Sequence, residues 1–250
     1  MVEGAVGAMR LHVVGSSGTF PAPGRPAAGY VVQQGETRVW CDAGPGTFMM
    51  LPFESTLIDA VVISHQHPDH CSDLTAAYHA WTYSPTPREP VPLYAPQSVW
   101  DRLVAFVDQE PPCFDFRPVW TGDVATIGDI EVRFFESDHS VPTVATRWEA
   151  EGRTLFYTGD TGPAGEWVDH VRDVDVFLAE ASYQEANKNP DYPHHLSAVE
   201  AAEIARGAGV GELVLTHIPP YLDASVSVAE AEAVFDRPVR LAVPGTSLDV

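Results

Sequence analysis

Positive charge is scarce in this 250-residue chain. Lys and Arg total 14 against 35 Asp and Glu, a net charge of −21 with His neutral. Nonspecific polyanion binding is driven by Lys and Arg displacing counterions, so the chain has no general electrostatic attraction to nucleic acid or anionic lipid. Cysteine is sparse as well. Cys41, Cys71 and Cys113 form an odd, scattered set without a CxxC pair, which suits a reducing cytosol better than a disulfide scaffold. No apolar run approaches the roughly 20 residues of a membrane span. Residues 1–10 lack the basic and apolar regions of a secretory signal. A cytoplasmic protein with no membrane and no stable nucleic-acid partner is the expectation.

What is present is an ordinary globular mix, 45% apolar and 20% charged, with ample material for a buried core. Residues 1–8 are small and weakly patterned; they read as an extension before a domain over 9–250. Residues 11–14 form a strand ending in Gly15-Ser16-Ser17-Gly18. Residues 29–33 and 37–41 are short strands joined as a hairpin at Gln34-Gly35-Glu36. Residues 58–64, rich in Val and Ile, read as a buried strand. Ser72 and Asp73 start a helix over 74–83. A strand over 91–94 precedes a helix over 96–107 that opens on Pro96. Strands follow over 124–127, 130–135, 144–150 and 153–158, then a helix over 165–171 and a buried strand over 174–179. The amphipathic helix over 197–208 is capped by Ser197, with Glu200 completing a capping box. A strand over 213–216, a helix over 228–235 and a strand over 239–243 close the chain. This order predicts two sheet-plus-helix halves, an α/β (α+β) fold arranged as a four-layer αββα sandwich.

The densest chemical signal is His65-Gln66-His67-Pro68-Asp69-His70, three His and one Asp in six residues directly after an apolar strand. Alternation sends His65 and His67 to one side while the chain stays extended, and a turn at Pro68 brings Asp69 and His70 to a neighbouring position. Imidazole and carboxylate at this density suit zinc or another first-row divalent ion. A polar surface loop is the plain alternative, and the downstream candidates weigh against it. His139 in Ser137-Asp138-His139-Ser140, Asp160 in Thr158-Gly159-Asp160-Thr161 and His217 in Leu215-Thr216-His217-Ile218 each follow a predicted strand. Alone, His139 or His217 reads as a packed histidine. Gathered along one edge of a sandwich, the seven form a ligand set.

HxHxDH, a later His, an Asp in a TGD turn and a final TH together resemble the metallo-β-lactamase superfamily, from about Arg10 to Val250. The resemblance implies the metallo-β-lactamase fold and two divalent metal ions, zinc foremost and manganese the alternative. One ion would be held by His65, His67 and His139. The other would be held by Asp69, His70 and His217, with Asp160 bridging. Such pairs lie about 3.5–4 Å apart and yield a hydroxide at neutral pH. Two divalent ions contribute four positive charges, and Asp69 and Asp160 return two negative ones. A small anionic phosphodiester is therefore attracted to the site while the rest of the chain repels long nucleic acids.

True β-lactamases with two metals usually place Cys where Asp160 stands and are exported. Glyoxalase II enzymes carry a C-terminal substrate domain, and none is visible after His217. The chain instead resembles the phosphodiesterase branch, which includes the tRNA 3′-processing endonucleases. The resemblance lies in Glu180 of Leu178-Ala179-Glu180-Ala181-Ser182 and His195 of His195-Leu196-Ser197-Ala198. In that branch the His contacts the scissile phosphate over the metals and the acid orients it. A carboxylate that fixes an imidazole and raises its pKa favours the protonated form that a leaving alkoxide needs. The resemblance thus implies a catalytic set of Asp69, His195 and Glu180, with Asp69 also a ligand. The plain alternative is that His195 packs at the helix start and Glu180 is a solvated strand-end acid.

The tRNA enzymes carry a long exosite arm, usually between the ligands matched by His139 and Asp160; here the intervening segment is residues 140–159. The chain more closely resembles bacterial cyclic-nucleotide phosphodiesterases of this fold. Gly15-Ser16-Ser17-Gly18, Ala28-Gly29-Tyr30, residues 64–71, Gly159-Asp160-Thr161-Gly162, Glu180-Ala181-Ser182 and residues 215–220 carry that likeness. The expected function is hydrolysis of a small phosphodiester, a 3′,5′-cyclic nucleotide foremost, with a homodimer expected by resemblance. Alternatives are an RNA-processing phosphodiesterase, a glyoxalase- or lactonase-like hydrolase, and a metal-binding regulatory module without turnover. His12, His79, His170 and His194 have no matched role, although a one-residue slip would exchange His194 with His195. Cys71 reads as a small buried residue. Trp81, Tyr83, Tyr183 and Tyr192 flank segments that should rim the site, where an aromatic ring could stack on a base.

Overall fold

A computed structural model describes residues 8–86 and 88–250. Apart from Ala8, the extension read over 1–8 lies outside the described residues. The first half of the chain forms β1 (Arg10–Gly15), β2 (Gly29–Gln34), β3 (Thr37–Cys41), β4 (Ala60–Val62), α1 (Pro68–Cys71), α2 (Leu74–Thr82), β5 (Val91–Ala95), α3 (Gln97–Val107) and β6 (Phe114–Pro118). The second half forms β7 (Val124–Ile127), β8 (Ile130–Glu136), β9 (Val144–Ala150), β10 (Arg153–Tyr157), α4 (Trp167–His170), β11 (Val176–Glu180), α5 (Ala198–Ala208), β12 (Glu212–Thr216), α6 (Ala224–Phe235) and β13 (Arg240–Leu241). A last strand, β14 (Ser247–Asp249), returns to pair with β1.

Two seven-stranded sheets result, in the orders β14-β1-β2-β3-β4-β5-β6 and β13-β12-β11-β10-β9-β8-β7. Strands β3 to β6 run parallel, and so do β10 to β13. Parallel strands deliver their C-terminal ends to one edge of a sheet, where site loops collect. Strand β9 is antiparallel to both β8 and β10, so β8 ends on that same edge.

Alternate residues of the central strands serve two cores. Leu155 and Tyr157 of β10 and Val176 and Leu178 of β11 pack between the sheets, together with Leu11, Tyr30 and Trp148. Phe156, Phe177 and Ala179 point the other way, into the layer under α4, α5 and α6. Val61 and Ile63 do the same beneath α2 and α3. Strands buried on both faces read as continuous apolar runs, and the four-layer αββα arrangement follows.

The capping box on α5 is present, with Ser197 Oγ accepting from Glu200 N and Glu200 Oε2 accepting from Ser197 N. Three short elements depart from the sequence reading. Edge strand β6 carries Asp115, Arg117 and Pro118, residues that blunt an exposed edge and hide the strand pattern. Strand β14 is three residues long. Helix α1 replaces the plain turn expected at Pro68, which occupies the first helical turn and tolerates it without a backbone N–H.

Candidate metal centre

Strand ends from both sheets meet over a buried cluster of histidines. After β4 the chain passes through Ser64 and His65, and His67 then caps α1. That helical turn brings Asp69 and His70 back beside His65. The 42–46 turn lies against it so closely that a Cβ on Gly44 would sit 2.0 Å from the Asp69 carbonyl oxygen. From the other sheet come His139 after β8, Asp160 after β10 and His217 after β12. Gly159 has φ +58°, a conformation in which glycine carries no Cβ penalty. His217 itself has φ +55°, a left-handed backbone that non-glycine residues adopt mainly where the surroundings enforce it.

All seven expected ligands converge. His67 Nδ1 stands 3.0 Å from His65 Nε2 and 3.0 Å from His139 Nε2. His70 Nε2 and His217 Nε2 are 3.0 Å apart, and Asp69 Oδ2 is 3.3 Å from the latter. Asp160 joins the two groups. Its Oδ1 lies 3.1 Å from His70 Nε2 and 3.4 Å from His217 Nε2, and its Oδ2 lies 3.7 Å from His65 Nε2 and 4.0 Å from His139 Nε2. Within each of the two groups the ligand atoms fall within 4.8 Å of one another.

This arrangement fits two cations better than it fits hydrogen bonding. Asp160 Oδ1 is buried without a hydrogen-bond partner. His67 Nδ1 faces two nitrogens but offers only one proton or one lone pair, so a hydrogen bond satisfies one contact and a shared cation satisfies both. Nitrogens bound at about 2.0–2.1 Å to one tetrahedral ion would stand ~3.3 Å apart, close to the spacing here. Burial keeps His65, His67 and His139 below the usual histidine pKa, in the neutral form a ligand needs. Burial also opposes the Asp160 carboxylate, but His217 and His70 outweigh it and hold its pKa well below the usual range. His70 goes the other way. Burial lowers its pKa, yet the Asp160 and Asp42 carboxylates raise it well above the ordinary value, so a cation at that position displaces a proton.

A second layer of residues fixes the ring tautomers, and the sequence reading missed most of it. Asp42 is fully buried at φ +56°. Its carboxylate accepts from Ser64 N at 2.7 Å, Ser64 Oγ at 2.9 Å and Tyr157 Oη at 2.7 Å, and lies 2.7 Å from His70 Nδ1. Ser64 Oγ in turn lies 3.0 Å from His65 Nδ1. The other half repeats this device. Ser182 Oγ donates to Glu180 Oε2 at 2.7 Å and lies 2.9 Å from His217 Nδ1. His139 Nδ1 donates to the His194 carbonyl at 3.0 Å. Each Nδ1–H thus has an acceptor, which leaves the Nε2 lone pair of His65, His70, His139 and His217 for a metal. The signal for Asp42 was an acid at the end of a buried strand, the same signal that picked out Glu180.

His195, not His194, meets Glu180. Its Nδ1 is 2.9 Å from Glu180 Oε1 and 3.9 Å from Asp160 Oδ2. Glu180 is fully buried and also accepts from Thr161 N at 2.8 Å. Burial disfavours the His195 imidazolium, but the Glu180 carboxylate outweighs it and raises the pKa to about 9. A cleft of about 400 Å³ opens over the cluster, with His195 and His217 in its wall. Of the four aromatic residues read as rim candidates, Tyr183 and Tyr192 line it. Trp81 is instead buried against Phe48 and Phe114, and Tyr83 packs beside Tyr78 and His79. Tyr221, which the sequence did not single out, lines the cleft as well. Cys71 is buried, as expected.

Residues 37–218 match the family described as "Beta-lactamase superfamily domain" (Lactamase_B_2), and the chain belongs to it. Relatives named for an activity include a probable metallo-hydrolase and ribonuclease Z. An uncharacterized Mycobacterium tuberculosis protein, Rv1339, is 34% identical over 259 residues, 99% of this chain and 94% of that one. The probable metallo-hydrolase YhfI of Bacillus subtilis is 27% identical over 245 residues, 95% of this chain and 98% of that one. Its crystal structure superposes with a TM-score of 0.89 at 24% identity, covering 98% of this chain and 100% of that one. Ribonuclease Z of Methanopyrus kandleri is 28% identical over 264 residues, 90% of this chain and 92% of that one. No helix among the described residues is long and apolar enough to cross a membrane.

Proposed function

We propose that the protein is a two-metal phosphodiesterase acting on a small phosphodiester, a 3′,5′-cyclic nucleotide. His65, His67 and His139 would hold one ion and Asp69, His70 and His217 the other, zinc foremost, with Asp160 between them. When bound, the two ions supply a water that ionises near neutral pH and offset the charge of the phosphodiester. The observation that carries the reading is an imidazole outside both ligand groups, His195, held over them by a buried carboxylate. Glu180 accepts a hydrogen bond from Nδ1–H, so Nε2 of His195 is the nitrogen free to serve the substrate. In hydrolysis a P–O bond forms to water and an ester P–O bond breaks. The departing oxygen takes its proton from protonated His195, as general acid. Glu180 and Thr161 N keep the ring in place.

Ribonuclease Z among the relatives favours a second reading, RNA processing. Two features favour the small substrate. Between His139 and Asp160 the chain holds only β9, β10 and a tight turn, with no arm, and the net charge is −21. The test is a panel of cyclic nucleotides, pre-tRNA, thioesters and lactones with metal-replete protein. Turnover of cyclic nucleotides with little action on pre-tRNA is expected. Efficient 3′ trimming of pre-tRNA without cyclic-nucleotide turnover would overturn the reading.

A further inference from the structure

The wall of the cleft is uneven in chemistry. Its floor is the histidine and aspartate cluster, but among the described residues no Arg or Lys lines it. Phosphate groups beyond the one over the metals are normally gripped by guanidinium or ammonium groups, and none is offered here. The rest of the lining carries no charge: Thr19 and Ser182 offer hydroxyls, and Pro68, Pro219, Tyr183, Tyr192 and Tyr221 make up the remainder. Tyr221 is 68% exposed and Phe20 45% exposed, yet their rings lie nearly parallel, 6.3 Å between centroids and 23° between planes.

That pair stands on two loops that lead from the site. Tyr221 stands four residues after the ligand candidate His217, on a loop turned by the Leu222 N to Pro219 O hydrogen bond of 3.0 Å. Phe20 stands on the loop after β1. Gly18 N donates to Ile218 O at 3.3 Å and Arg25 Nη1 donates to Pro220 O at 3.2 Å, which ties the two loops together. A Cβ on Gly18 would lie 2.3 Å from the His217 carbonyl oxygen, so their close approach requires glycine. The cleft's 400 Å³ is near the lower end of ligand pockets, enough to seat one nucleoside phosphate.

We propose that Tyr221, braced by Phe20, is the platform on which the base of the substrate stacks, and that the cation-free rim confines the substrate to a single phosphate. This rests on the phosphodiesterase reading above and adds the specificity determinant to it. Base–aromatic stacking tolerates any base because every base has a π-face, so the platform selects for the presence of a base over its identity.

Steady-state kinetics on the metal-replete full chain test this. The substrates are 3′,5′-cyclic AMP, the base-free ribose 3′,5′-cyclic phosphate, and the dinucleotide pApA, which carries an extra terminal phosphate. Wild type should prefer cyclic AMP in kcat/KM over both others by about ten-fold or more. Tyr221→Ala should abolish most of the preference over the base-free compound, through KM and not kcat, and Tyr221→Phe should keep it. A purely structural role for Tyr221 would reduce both cyclic substrates alike. Intact cyclic AMP turnover with an unchanged preference in Tyr221→Ala overturns the platform, and equal turnover of pApA overturns the single-phosphate limit. Wild-type hydrolysis of bis(p-nitrophenyl) phosphate without any cyclic AMP turnover overturns the cyclic-nucleotide reading itself, and the platform with it.

Discussion

Asp42 Oδ2 lies 2.7 Å from His70 Nδ1, and neither side chain has any exposed surface. Three further donors converge on the same carboxylate, so its charge is fixed in place behind the second ligand group. Partners of this kind typically contribute 10–100-fold to metal affinity. Asp42→Asn should therefore weaken binding by about that factor while the fold persists, as read by chelator competition alongside circular dichroism. Wild-type affinity in this variant would count against the role given to Asp42.

Each proposed ligand group draws residues from both sheets, so metal should clasp the two halves of the sandwich. Elemental analysis of gently purified protein should approach two equivalents per chain. Chelation should lower Tm, and added metal should restore it. A ligand at 100-fold its Kd stabilises by about 2.7 kcal/mol. A stoichiometry that stays at one after supplementation would argue against Asp160 as a bridge.

His195→Ala should keep its metal and lose about 10²–10⁴-fold in kcat, the usual cost of removing a general acid. The loss should shrink for a p-nitrophenolate leaving group, which needs little protonation. Glu180→Gln should give a weaker version of the same profile. His217→Ala should lose metal and activity together. A missing metal equivalent in His195→Ala, or an equal defect for good and poor leaving groups, would refute the assignment.

Away from the site, Asp175 joins β10 to β11. It accepts from Arg153 Nη1 at 2.7 Å, Thr154 N at 2.8 Å and Thr154 Oγ1 at 2.9 Å. Burial works to raise its pKa, but these Thr154 and Arg153 contacts outweigh it and hold the carboxyl below its usual value. Its folded pKa being depressed, its contribution is full above the unfolded value of about 3.9 and is lost as pH falls through the folded value. Asp175→Asn should cost about 1 kcal/mol or less near neutral pH, the contacts being partly exposed and screened by solvent, and the Tm gap from wild type should close as pH falls below the ordinary carboxylate range. A gap that is constant with pH would show that charge plays no part.

The sandwich was legible because its central strands are buried on both faces and its helices carry strong end signals, as at Ser197 and Glu200. The residues that converge on the cluster were legible because histidine and aspartate at strand ends have few structural uses. What escaped was of two kinds. Strands β6 and β14 are short or edge-blunted, and pairing rather than pattern defines them. Asp42 carried the strand-end acid signal but no visible partner, and the supporting contacts of Ser64 and Ser182 arise only when distant strands align. Nothing local distinguishes Ser182 from any other serine; its hydroxyl matters because β11 and β12 place Glu180 and His217 on either side of it. Tyr221 likewise gains meaning only from Phe20, far upstream in the chain.

His139 and His195 hang from one peptide plane. The carbonyl that accepts the His139 Nδ1–H hydrogen bond belongs to His194, and its amide partner is the nitrogen of His195. Tilting that plane re-aims an imidazole on each side of it. In the proposed site, the hold on one metal ion and the reach of His195 toward the substrate would therefore be geared together, like two hands on one axle. Random variation over 192–196 should not scatter these properties independently. Variants should fall along a diagonal, with metal retention and leaving-group sensitivity rising or declining in step.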